Sequence, residues 1–91
     1  MKIQDVRNII EKNNQACIKY VRVGNDFRFA LTDGPIYHSD LVGQDEVVTS
    51  AGFFIILIDR VHVMSTASTS LKLGPKLEDE KLLHDLFYKM E

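Results

Sequence analysis

The chain has 91 residues, room for a single domain over 1–91 with one modest core. Its 45% hydrophobic and 26% charged residues, with five glycines and two prolines, carry enough apolar side chain to offset the entropy of folding, which excludes a disordered tract. A net charge of −2 leaves no cationic excess to neutralise a phosphate track, so nucleic acid is not an expected partner.

Cys17 is the only cysteine. One thiol cannot form an internal bridge, and a secreted domain of this size normally needs bridges, so the expected compartment is the cytoplasm. The opening MKIQDVRNIIEKNNQ mixes acids and amides with its apolar residues and lacks the unbroken run of a signal peptide. The longest apolar stretch, Ala51 to Ile58, falls well short of the roughly 20 residues of a membrane span.

Ile3, Val6, Ile9 and Ile10 recur at helical spacing among polar residues and predict a short amphipathic helix that stops at Asn13-Asn14. Ala16 to Val23 and Asp26 to Leu31 read as strands joined by Gly24-Asn25, a pair suited to a type II′ turn. That turn fixes the register: Arg22 opposite Phe27, Tyr20 opposite Phe29 and Ile18 opposite Leu31. Ile18, Tyr20, Phe27, Phe29 and Leu31 then share a core face, and Lys19, Val21, Arg28 and Ala30 the other. Thr32 to Glu46 is a polar connection with a turn at Asp33-Gly34-Pro35 and room for a short strand at Ile36 to His38.

Val47 to Thr66 predicts two long strands turning at Asp59-Arg60, with Ile56 opposite Val63 and Leu57 opposite His62. Gly52 inside the first of them predicts a bulge or a close backbone approach. Thr66 to Leu73 reads as an edge continuation, ended by Gly74-Pro75. The last helix carries Leu82, Leu83, Leu86, Phe87 and Met90 as its stripe. Glu78, Asp79 and Glu80 stand in its first turn and Lys89 in its last, in the order the helix dipole favours. The fold class is therefore α+β: a curved antiparallel sheet of four to six strands with an N-terminal and a C-terminal helix packed on one side.

Phe53 to Ile58 do not alternate, and a strand apolar on both sides must be covered on both. With both helices on one face, the other needs a sheet that closes on itself, a second copy of the chain, or a bound apolar ligand. Phe53, Ile55 and Leu57, or the opposite set of that strand, are the expected interface residues of a homodimer.

The polar candidates are His38-Ser39-Asp40 in the long connection, Ser50 and His62 on the strands, and the hydroxyl run Ser65, Thr66, Ser68, Thr69 and Ser70. His38, Ser39 and Asp40 are the residue types of a catalytic triad, but adjacent residues seldom converge on one point. Clustered hydroxyls suit an anion or a sugar, and equally a solvent-facing edge. His38, Asp40, His62 and His84 show no metal-ligand spacing, so neither a metal nor a cofactor is expected.

The pattern His38-Ser39-Asp40-Leu41, then Val48-Thr49-Ser50-Ala51-Gly52-Phe53, then Val61-His62-Val63, then Ser68-Thr69-Ser70-Leu71 resembles small bacterial proteins with no established activity. A looser likeness connects it with a hairpin near the end of some bacterial polymorphic toxins. Their pattern runs on into S-G-H-Y-x-P, where this chain has Leu71-Lys72-Leu73-Gly74-Pro75. The resemblance implies a hairpin with a histidine-serine loop beside its start. The expected function is a bacterial, non-enzymatic interaction module that forms a homodimer or binds another protein. The alternative is a small-molecule-binding or enzymatic domain built on the His38/Ser39/Asp40 loop, with Ser50, His62, Ser68 and Ser70 around it.

Overall fold

The computed structural model describes residues 3–13, 17–32, 36–57 and 60–88. In chain order the elements are helix α1 (Ile3–Asn13), strands β1 (Cys17–Val23) and β2 (Asp26–Leu31), a 3₁₀ turn (His38–Leu41), strands β3 (Ser50–Ile56) and β4 (Val61–Val63), and helix α2 (Leu77–Tyr88). The four strands form one antiparallel sheet in the order β2-β1-β3-β4. The sheet does not close on itself, which removes closure as the cover for its second face. No helix of the described residues is long and apolar enough to cross a membrane.

The first hairpin has the register that its turn predicts, with Tyr20 opposite Phe29 and Arg22 opposite Phe27. Gly24 takes φ +62°, while Asn25 keeps a negative φ, as a type II′ turn requires. Ile18, Tyr20 and Phe29 of this hairpin join Phe54, Ile56 and Val61 beneath Val6 of α1 and Leu83 and Phe87 of α2. Phe29, Phe54 and Phe87 lie with ring centroids 5.7 to 5.9 Å apart. Each such side chain contributes roughly 1.5–3 kcal/mol on burial. Arg7 of α1 donates through Nη2 to the Phe87 carbonyl at 2.7 Å, tying the first helix to the last turn of α2.

Several expectations are corrected. The second hairpin is shifted by two residues from the expected register: Ile56 pairs with Val61 and Ile55 with His62, and the Leu57 N–H donates to the Arg60 carbonyl at 2.8 Å. Asp59 of the expected Asp59-Arg60 turn, like Ile58, Asn14, Asp33-Gly34-Pro35, Lys89 and Met90, lies outside the described residues. A two-residue slip leaves every side chain on its expected face. Both strands are shorter than the sequence predicts. Ala51 donates its N–H to the Gly74 carbonyl at 3.3 Å, so the returning 64–74 segment occupies the place where β4 would continue.

That segment is a turn rather than an edge strand, closed by a bridge between Ser68 and Leu73 and holding Lys72 at φ +55°. Ile36 to His38 is not a strand either. Asp40 accepts the Tyr37 N–H through Oδ2 at 2.8 Å and donates its own N–H to the Tyr37 carbonyl at 3.0 Å. These local bonds wind the chain into the 3₁₀ turn. Gly52 is a close approach and not a bulge: a Cβ there would meet the Tyr20 ring at 3.3 Å, and the β1–β3 register runs through it without a break.

Candidate functional site

The sheet has two faces of different character. On the helix side, Tyr20 and Arg22 alternate along β1 and both point at the start of α2. Tyr20 donates its hydroxyl to Asp79 Oδ2 at 2.6 Å, and Arg22 Nη1 donates to Asp79 Oδ1 at 2.9 Å and to Glu78 Oε2 at 3.0 Å. Asp79 also accepts the Lys76 N–H at 2.9 Å, which fixes the first turn of the helix. Tyr20 and Asp79 are fully buried. Burial and the Asp79 bond push the Tyr20 phenol far above its ordinary range. Burial also works against the Asp79 carboxylate, but Tyr20, the Lys76 N–H, Ser50 and Arg22 outweigh it and hold the group below the usual range. Ser50 is buried against this carboxylate and favours its charged form, yet its hydroxyl makes no hydrogen bond of good geometry. One guanidinium serves two carboxylates here, and the network ties β1 to the start of α2 as a structural unit.

The second face carries Cys17, Lys19 and Val21 of β1, Arg28 and Ala30 of β2, and Ala51, Phe53 and Ile55 of β3. Half of it is roofed by residues 36–46. Arg28 holds that roof with both guanidinium nitrogens on the Glu46 carboxylate at 2.5 Å, and with Nη1 on the Leu41 carbonyl at 2.9 Å. The Arg28 bonds and the Gly43 N–H hold the Glu46 carboxyl down at about 2. His38 is the roof's buried peg, 4% exposed, with Nε2 2.8 Å from the Gly52 carbonyl and its ring edge-on to Phe53. Burial, helped by the Lys19 charge, pushes the His38 imidazole below its ordinary value. Val21, Ala30 and Ala51 are buried beneath this segment.

Beyond the roof the face is only half covered. Phe53 and Ile55 are half-buried in one row along β3, Leu57 follows in the same alternation, and Cys17 stands opposite Ile55. At the roof's edge Ile36 is 43% and Tyr37 64% exposed. Lys19, opposite Phe53, donates its ammonium to the Ile36 carbonyl at 2.6 Å and lies 5.8 Å from the centre of the Tyr37 ring.

The polar residues singled out from the sequence do not gather at one point. His38 turns to Gly52 and Asp40 to Tyr37, so the two make no triad with Ser39. Ser39 meets the hydroxyl turn: its N–H donates to Ser70 Oγ at 3.2 Å, and Ser68 Oγ lies 3.4 Å from Ser70 Oγ. Ser50 lies on the helix side, with Asp79. His62, at the β4 edge, is half-exposed with Nδ1 3.5 Å from Glu80 Oε1. It borders an open groove of about 540 Å³ between residues 62–65 and 75–80. No cluster of metal-ligating side chains occurs among the described residues.

Sequence reasoning missed Lys19, Tyr37, Arg28 with Glu46, and the Tyr20–Arg22–Asp79 network. Arg22 carried the one available signal: it alternates with Tyr20 on a core face, where a cation requires a carboxylate. No family model, no curated protein and no solved structure matches the chain.

Proposed function

We propose that this chain is a non-enzymatic interaction module of the cytoplasm that self-associates through the second face of its sheet. The observation that carries this reading is the half-covered row Phe53, Ile55 and Leu57, continued by the exposed Ile36 and Tyr37. Apolar side chains so arranged gain by meeting a second apolar surface, and a two-fold axis supplies one from the same residues. The lone half-buried thiol supports the reducing compartment.

Sedimentation velocity on the wild type and on Ile55→Asp tests it. The wild type sediments as a dimer, and the variant as a monomer with unchanged far-UV circular dichroism. A folded Ile55→Asp dimer overturns the reading. A small-molecule role is favoured only at the groove beside His62, where the histidine and Glu80 stand within reach of one ligand. Loss of a bound ligand's thermal shift in His62→Ala would support that second role.

A further inference from the structure

The outer edge of β4 offers backbone to a further strand. β4 stands at the end of the strand order, and its bonds to β3 run through residues 60 and 64. The Leu57 N–H donates to the Arg60 carbonyl, and the Met64 N–H to the Phe53 carbonyl, each at 2.8 Å. Alternation along an antiparallel pair then turns the N–H and C=O groups of Val61 and Val63 away from β3. The Val63 N–H meets a carboxylate there, donating to Glu80 Oε1 of α2 at 2.9 Å. That oxygen stands where the carbonyl of an added strand would stand. The Glu80 side chain is 51% exposed, so water replaces its bond at little cost when it swings aside.

The space beside this edge is a cleft between strand and helix. The groove of about 540 Å³ borders residues 62–65 and 75–80, and a second of about 290 Å³ borders Arg60 and Val61, with Leu77 and Glu80 as walls of both. Leu77 is 99% exposed where the two meet. Arg60, Lys76 and Lys81 line the cleft with His62, and Glu80 is the acid among the described lining residues. Glu78 is turned to Arg22, and Lys81 lies 3.7 Å from Asp85 of its own helix. The rim is thus cationic on a chain whose net charge is −2. We propose that the β4 edge binds an extended acidic peptide of another protein as an added strand. A peptide carbonyl takes the Val63 N–H in place of Glu80, an apolar side chain rests on Leu77, and an acidic one faces Lys76. The occupant is a strand because the edge presents backbone groups in strand alternation, and an acidic one because the rim is cationic. Glu80 covers the edge until the peptide arrives. The site lies at an edge, apart from the sheet face assigned to self-association, and does not depend on it.

Fluorescence polarisation and proton–nitrogen NMR test it with a labelled peptide, acetyl-Glu-Val-Glu-Val-Glu-amide. The controls are its lysine counterpart and a copy methylated at every backbone nitrogen, which cannot pair along the edge. The acidic peptide is expected to shift the Val61 and Val63 amide resonances and to bind more tightly than either control. Glu80→Ala removes the competing carboxylate and should tighten binding about two- to tenfold. Lys76→Glu should weaken it about fivefold or more. Both variants change exposed side chains, and far-UV circular dichroism checks that they fold. Equal binding of the methylated or the lysine peptide overturns the proposal, as does an affinity unchanged in Glu80→Ala. Absence of binding to the wild type and to Glu80→Ala up to millimolar peptide overturns it too. Shifts of the Val61 and Val63 amides on dilution of the chain alone would assign the edge to a second copy and overturn it likewise.

Discussion

Asp79 shows how a single residue can tie sheet to helix. Its carboxylate takes bonds from a tyrosine, an arginine and the N–H of Lys76, the residue before its helix, while fully buried. Breaking a matched buried charge leaves its partners stranded, so Asp79→Ala is expected to cost about 3–5 kcal/mol in urea denaturation. Tyr20→Phe removes one donor and should cost about 1–3 kcal/mol. A loss below measurement in both would mean that the network contributes no net stability. His38 makes a second prediction at this scale. Its pKa is lowered in the folded state, so the unfolded chain binds the proton first as pH falls. The stability linked to His38 is therefore complete above its ordinary value near 6.5 and is lost as pH drops from there through the folded value. A proton-NMR titration should show the His38 ring half-protonated below pH 6.5; a midpoint above it contradicts the buried-peg assignment.

Among the elements, the β1–β2 hairpin is the one whose local chemistry suffices. Gly24 sits at φ +62° with no heavy atom within 4 Å of a Cβ added there, so Gly24→Ala isolates the backbone term. A loss of about 1–2 kcal/mol in thermal unfolding is expected, and no loss would argue against a left-handed Gly24. The roof over the second face is held by Glu46 and Arg28. The Glu46 carboxyl, held at about 2, supplies a contribution that is present above the ordinary carboxylate range and disappears as pH falls toward that value. Glu46→Gln should flatten that acid limb.

The same elements explain what could be read from the sequence. Alternation and a Gly-Asn turn agree in the first hairpin, so its register was legible to the residue. Asp59-Arg60 lacks such chemistry, and the second register slipped by two while keeping its faces. A polar loop over a sheet face leaves no periodicity, so the roof and its peg His38 were unreadable. Asp79 looked like a helix-dipole residue because three acids open α2, and only its spacing to Leu83 and Phe87 distinguishes it.

For the whole molecule, an open four-stranded sheet with both helices on one side must cover its other face by different means. Residues 36–46 cover part of it, and a second copy is the proposed cover for the rest. Phe54 and Ile56 belong to the core, and Phe53, Ile55 and Leu57 on the other face are the proposed interface. The most direct measurement is solution mass by light scattering on the purified chain across a dilution series. Twice the chain mass is expected at high concentration, falling to the chain mass on dilution. The same mass as a single chain at every concentration, with the protein folded, would contradict it.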